Sequence, residues 1–213
     1  MTREKVKPYW KCLVYAYRMT HIDNIPYLLK TGFVHPDSEK ANPNYIHIGN
    51  PSIIEIRKKE LHHEYRLSDY IPFYLGPHTP MLLNIQTGWN GVTKYSPKDI
   101  VYCAIKIKTV IGQGWECIFT DGHAVTEITS FFTKDKLPDI DKFVSVEDVF
   151  AKYWKDDNDL DLPRRKQAEL LIKNEIPAQH ISGFFVYNED SKQNLISMGV
   201  DEKHICVAPE YYF

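Results

Sequence analysis

Arg164-Arg165-Lys166-Gln167-Ala168-Glu169-Leu170-Leu171-Ile172 is the stretch on which the fold of this 213-residue chain turns. It is built from strong helix formers, and intrinsic propensity reads it as a helix. Pro163 and Pro177 bracket it, however, and Ala168, Leu170 and Ile172 alternate with Gln167, Glu169 and Leu171 in the period of a strand. Local physics leaves both readings open. Taken alone, Glu169 is a surface ion-pair partner for the neighbouring Arg164, Arg165 and Lys166.

The flanking sequence gives clearer signals. Downstream, 181–187 reads as a strand, 190–198 as a helix and 204–208 as a last strand. Upstream, 156–163 is a polar, acidic loop. Ser145 with Glu147 and Asp148 starts a helix predicted to run to about Trp154, the acids complementing its N-terminal dipole. Residues 99–107 and 70–75 read as strands, and 117–119 as a strand ending in a turn at Asp121-Gly122, with a further helix expected soon after. Thr79-Pro80 supplies an N-cap and a proline at the first helical position, and Gly88 closes that helix. Residues 35–51, rich in Pro, Asn, His and Gly, form a long loop of the kind that is usually functional or mobile. Near the start, 13–18 alternates as a first strand. A helix follows over 23–30, with Asp23 as its expected cap, Ile25, Leu28 and Leu29 on one face and Gly32 at its end. Strands and helices intersperse without a strict βαβ repeat, which predicts an α+β fold in a single domain over 1–213.

Composition narrows the class of function. Hydrophobic residues at 43% and charged residues at 25% belong to a globular protein. With 26 basic against 28 acidic residues, the chain does not coat duplex DNA by charge alone, although Arg57-Lys58-Lys59 or Arg164-Arg165-Lys166 could line a local groove. Taken alone, each triplet reads first as a solvated face. Cys12, Cys103, Cys117 and Cys206 have neither pairing nor metal-site spacing, which points to a reducing compartment. The charged Met1–Lys7 start has no apolar segment and no stretch has the length of a membrane span, so the expected location is cytoplasmic and away from membranes.

Individual motifs are ambiguous. His21 lies where a strand meets a helix and reads first as a histidine bonded to nearby backbone. Asp121-Gly122-His123 reads as a turn. His62-His63 lacks a third ligand at a recognisable spacing. A Cys103–His123 nucleophile pair has no supporting motif. Tyr70, Tyr74 and Trp154 are core aromatics before they are base-stacking platforms.

Together, and in order, six segments say more: 17–25 (YRMTHIDNI), 69–74 (DYIPFY), 80–82 (PML), 99–102 (DIVY), 119–124 (FTDGHA) and 164–169 (RRKQAE). This series resembles the signatures of the DarT family of DNA ADP-ribosyltransferase toxins, in its thymidine-modifying branch. The resemblance implies an ADP-ribosyltransferase fold, a split mixed β-sheet with helices around an NAD cleft, and makes 164–172 a strand presenting Glu169. It implies NAD as co-substrate with no metal, single-stranded DNA as acceptor and a DarG-like macrodomain antitoxin as partner. Carried over by position, Glu169 and Arg57 are the catalytic residues, Arg66 being the weaker match for the arginine. Thr20, His21, Ile22, Leu29 and Arg57 contact NAD. His123, Tyr153, Trp154, Arg164 and Arg165 face the DNA, with the loop at 155–163 and the helix carrying Tyr153 and Trp154 as the recognition element.

The residue types suit that chemistry. Breaking a ribose–nicotinamide bond develops oxocarbenium character, which a carboxylate beside the sugar stabilises. Nicotinamide leaves from a cationic ring and needs no general acid. Thymine N3 must lose a proton as it attacks. An arginine is a poor base and serves better to stabilise the thymine anion. In a duplex N3 is occupied by pairing, so the acceptor is unpaired DNA. Two alternatives remain at this point: the same fold acting on guanine, RNA or protein, and a non-catalytic module that only binds nucleotide or nucleic acid.

Overall fold

The computed structural model describes residues 13–59 and 61–213. The Met1–Lys7 start and Cys12, read above, lie outside them. In chain order the strands are β1 (Tyr15–His21), β2 (Leu61–His62), β3 (Tyr65–Arg66), β4 (Ile71–Tyr74), β5 (Ile100–Lys106), β6 (Cys117–Thr120), β7 (Phe131–Thr133), β8 (Glu169–Ile172), β9 (Gly183–Val186) and β10 (Ile205–Val207). The α-helices are α1 (Ile25–Thr31), α2 (Pro51–Lys59), α3 (Pro80–Thr87), α4 (Ile107–Gln113), α5 (Val146–Val149), α6 (Leu162–Arg165) and α7 (Glu189–Ser197).

Eight strands form one mixed sheet in the order β10-β9-β5-β1-β4-β8-β6-β7, and β2 and β3 make a separate hairpin. The β10–β9 pair is parallel and the other pairs are antiparallel. β5 is apolar and buried along almost its whole length, as a strand covered on both faces must be. It aligns with all seven residues of β1. On its other edge β1 meets β4 through one aligned pair, Tyr17 with Tyr74. The sheet is therefore split there, and the Arg18 guanidinium crosses the seam to donate to Pro72 O at 2.9 Å.

One core cluster, which includes Phe73, Val101, Phe119 and Leu170, packs beneath α1 and α4. Another, around Tyr17, Tyr102, Leu82, Ile85 and Tyr211, packs beneath α3. α3 forms as its sequence dictates, with Thr79 Oγ1 accepting the Leu82 N–H, Pro80 in the first turn and Gly88 left-handed at the end.

Several sequence expectations change. Asp23 does not cap α1. A 3-10 turn over Ile22–Asn24 precedes that helix, and His21 Nδ1 accepts the Asp23 N–H at 3.2 Å. The helix expected soon after Asp121-Gly122 begins only at Lys134, as a 3-10 helix over Lys134–Lys142, and 123–130 is irregular. Thr129 Oγ1 donates to His123 O, and Asp121 Oδ1 accepts the Ser130 N–H, so side chains take the backbone groups a helix would use. The helix begun by Ser145 stops at Val149, whose carbonyl is captured by Lys166 Nζ at 2.6 Å, so Tyr153 and Trp154 lie on irregular backbone. The opening stretch divides. Residues 162–165 make a helical turn started by Pro163, and only Glu169–Ile172 is strand. Those four residues are fully enclosed and hydrogen-bonded to β4 on one side and β6 on the other, so tertiary pairing overrides helical propensity there.

Candidate active site

Glu169 opens β8, opposite Tyr74 across the β4 pairing and close to the split in the sheet. Its place is set by Thr120 at the end of β6. Thr120 Oγ1 accepts the Glu169 N–H at 3.0 Å and donates to Gly122 O at 2.7 Å, which locks the turn after β6 against the start of β8. A Cβ on Gly122 would overlap the Arg164 side chain, so the turn needs glycine for this close approach. From that turn the Ala124 N–H donates to Glu169 Oε1 at 3.0 Å.

Arg57 completes the centre from the last turn of α2. Its Nη2 donates to both carboxylate oxygens, at 2.7 and 2.6 Å, and the two side chains are only 13% and 2% exposed. Burial opposes the guanidinium charge, but the facing carboxylate outweighs it and the pKa of Arg57 is raised. Arg57 is thus a fixed cation. Tyr74 has its phenol raised by burial and then by Glu169, so it is a neutral hydroxyl. His123 has its imidazole lowered, first by burial, which keeps it neutral at ordinary pH.

Arg57, His123 and Glu169 line one cavity of about 170 Å³. A second, of about 280 Å³, adjoins it and shares Arg18, Tyr45, His47, Ile54, Arg57 and Pro72 with its wall. Two residues more than sixty positions from Arg57 in sequence, His123 and Glu169, therefore meet it in one chamber, whereas Arg66 is exposed on the β3 hairpin outside both cavities.

The remaining positions read from the sequence fall differently. Thr20 is fully buried and reaches the cavities through Tyr45, with 3.0 Å between the two hydroxyls. His21 and Ile22 line neither cavity. His21 packs edge-on to Tyr95, and Ile22 is core. Leu29 packs against the core, and it is Leu28 that faces the larger cavity. Tyr153 is exposed at 78%, while Trp154 leans on His78 and Phe213. Arg164 and Arg165 do not offer free charge to a phosphate. Arg164 is bound by Asp121 and Asp161, and Arg165 by Asp148, Asp159 and Asp161. These ion pairs fasten the 156–163 loop to the frame of the site.

Cys103 is sealed in the core with its thiol pushed up to about 12 by burial, which removes it as a nucleophile partner for His123. Among the described residues no group of three or more His, Cys, Asp or Glu side chains is placed to hold a metal. No helix among them is long and apolar enough to cross a membrane.

Three residues have roles that the sequence does not assign to them. Arg18 and Thr120 look like strand or loop residues and Lys166 like part of a basic cluster, and only their long-range partners reveal them. Lys166 is 0% exposed and donates to Pro77 O at 2.8 Å and Val149 O at 2.6 Å. Burial holds its ammonium down at about 7.

Comparison with known proteins agrees with this geometry. The family model described as "ssDNA thymidine ADP-ribosyltransferase, DarT" matches residues 17–213. A DNA ADP-ribosyl transferase of Escherichia coli O127:H6 is 32% identical over 186 residues, covering 84% of this chain and 83% of the relative. A DNA ADP-ribosyl transferase–DNA ADP-ribosyl glycohydrolase fusion protein of Thermosipho africanus is 28% identical, covering 92% of this chain and 48% of the fusion. Among solved structures, Thermus sp. 2.9 DarT in complex with ADP-ribosylated single-stranded DNA superposes with a TM-score of 0.79 at 25% identity, covering 94% of this chain and 96% of that one. The same protein in complex with NAD+ gives 0.75 at 25% identity, covering 97% and 99%. The split mixed sheet is thus the ADP-ribosyltransferase fold, and the chain belongs to the DarT family of single-stranded-DNA thymidine ADP-ribosyltransferases.

Proposed function

We propose that this chain transfers ADP-ribose from NAD+ to N3 of thymidine in single-stranded DNA and releases nicotinamide, acting as one domain and as the toxin half of a toxin–antitoxin pair in the cytoplasm. The observation that carries the reading is the Glu169 carboxylate, 2% exposed, in the wall of a cavity shared with Arg57 and His123. Support for the antitoxin comes from the Thermosipho fusion, which joins the transferase to a glycohydrolase in one chain. A separate macrodomain that removes the modification is the corresponding partner here.

In this reading Glu169 orients the ribose hydroxyls and stabilises the positive charge that builds at C1′ as the bond to nicotinamide breaks. The electron pair of that bond leaves with nicotinamide, which departs neutral. Thymine N3 then bonds to C1′ and its proton must go elsewhere. His123, kept neutral by burial, is the acceptor, and Arg57, permanently charged, stabilises the anionic base as it forms. Arg57 has to leave Glu169 for either role, since in this structure it occupies both carboxylate oxygens. Thr20 meets the cavity wall through Tyr45, and the nicotinamide end is assigned to that side, toward the adjoining His21 and Ile22. Tyr153 is an exposed aromatic on which an unpaired base can stack.

Incubation of the chain with NAD+ and mixed single-stranded oligonucleotides, followed by intact mass and nucleoside analysis, tests this. The expected product is one ADP-ribose on thymidine, absent from thymine-free strands. Modified guanosine, or no adduct at all, contradicts it.

A further inference from the structure

Arg18 stands apart from the other sheltered arginines. Arg57, Arg164 and Arg165 each face carboxylates within ion-pair distance, but Arg18 faces none among the described residues. Among the described residues its one hydrogen bond is Nη1 to Pro72 O across the seam of the sheet. Its Nε is buried without a partner among the described residues, and its guanidinium lies 5.9 Å over the Phe33 ring. A guanidinium has five N–H donors, and leaving the buried Nε–H unpaired away from water is unfavourable. The seam needs only one of those donors, which a neutral amide would supply as well.

Arg18 also belongs to the common wall of both cavities. Among the described residues the larger cavity has no Asp or Glu in its lining, and beside Arg18 and the paired Arg57 it carries Lys58, His35 and His47. His35 is turned to Lys173 O, and Lys58 is drawn toward exposed Glu55. His47 is lowered by burial and then by Arg18 and Lys58, so it stays neutral. Among the described residues the one carboxylate that lines either cavity, Glu169, belongs to the smaller and is covered by Arg57. The larger chamber therefore holds an unbalanced positive charge beside an apolar aromatic wall formed by Tyr27, Phe33 and Tyr70.

We propose that Arg18 is the group that binds the diphosphate of the dinucleotide, joining a ribose end at Glu169 to a base end in the larger cavity. The inference rests on NAD+ being the substrate. A guanidinium fork is the side chain best matched to phosphate oxygens, and its planar geometry explains why arginine occupies a place where one bond to Pro72 would satisfy the fold.

The test is calorimetric titration with ADP, and in parallel with adenosine, of the wild-type chain and of Arg18→Met and Arg18→Lys, with unfolding midpoints recorded for each. ADP affinity should fall by about tenfold to a hundredfold in Arg18→Met, the range for a lost hydrogen bond to a charged group. It should be partly restored in Arg18→Lys, while adenosine binding stays within about twofold because it makes no phosphate contact. With NAD+ and an oligonucleotide, KM for NAD+ should rise more than kcat falls. If Arg18→Met does not fold, wild-type ADP binding must still weaken more steeply with salt than adenosine binding, and Arg18→Lys must still bind ADP more weakly than wild type while binding adenosine within about twofold. Equal ADP affinity in wild type and Arg18→Met, or equal loss for ADP and adenosine, overturns the assignment. Because the titration uses no DNA, an Arg18-dependent ADP site in a chain that modifies no oligonucleotide would discard the proposed function and keep this subsite.

Discussion

Removing Arg57, Glu169 or both should reveal how tightly the catalytic centre is coupled. In the folded chain Glu169 accepts from Arg57 Nη2 at 2.7 and 2.6 Å and from the Ala124 N–H at 3.0 Å, and its side chain is 2% exposed. Arg57→Ala would leave that carboxylate enclosed with one backbone donor. Losing one member of a buried pair costs about 3–5 kcal/mol. α2 contributes no buried residue, so water can enter where the arginine was, and the lower end, about 3 kcal/mol, is expected. Glu169→Ala strands a cation that can swing outward with α2, and should cost about 2 kcal/mol. The double variant leaves neither charge behind and should also cost about 2 kcal/mol, so the two single losses overlap by about 3 kcal/mol. Urea or guanidinium denaturation of the four proteins measures this cycle. Additivity within about 0.5 kcal/mol would refute the coupling and with it the view that Arg57 latches Glu169.

Other expectations follow from neighbouring contacts. Lys166, held down at about 7 when folded and near its ordinary value when unfolded, contributes stability that is present above the unfolded pKa and lost as pH falls through the folded one. The wild type should therefore gain about 2 kcal/mol between pH 7 and 9, and Lys166→Met should abolish that rise in denaturant titrations at the two pH values. Neutral Lys166 still has two N–H groups, which match Pro77 O and Val149 O. Tyr153→Ala should weaken single-stranded DNA binding by about 1–3 kcal/mol in fluorescence anisotropy without moving the unfolding midpoint, because the side chain is 78% exposed. An unchanged affinity would remove it from the DNA face. Gly122→Ala should push Arg164 from its acids and lower the unfolding midpoint, since its Cβ has no room. A midpoint equal to wild type would show that the turn can open without cost.

Elements with short-range signals were legible in the sequence. α3 announces itself through Thr79, Pro80 and Gly88, and β5 and β9 through dense apolar runs bounded by polar residues. Features decided by distant partners were not. The helix predicted to reach Trp154 ends at Val149 because Lys166 takes its carbonyl, a contact across seventeen positions. The split within 164–172 follows from pairing with β4 and β6, which propensity does not encode. Arg164 and Arg165 read as a basic patch until Asp121, Asp148, Asp159 and Asp161 are seen to surround them. Glu169 looked like any surface acid among bases, and only its resemblance to a family motif singled it out. Its neighbourhood with Arg57 spans 112 positions, and no local pattern carries that information. Arg18 was hidden inside a strand pattern because its role depends on what it lacks, a carboxylate.

The central claim is that the Glu169 carboxylate faces the ribose of bound NAD+ and stabilises the charge that forms there. Single-turnover transfer of ADP-ribose to a thymine-containing single strand, at saturating NAD+ and with dinucleotide affinity measured alongside, tests it most directly in Glu169→Gln. The rate should fall by about a hundredfold to a thousandfold, the range for losing one electrostatic stabiliser of a transition state, while NAD+ affinity changes only a few-fold. A rate equal to that of the wild type under those conditions would contradict the claim.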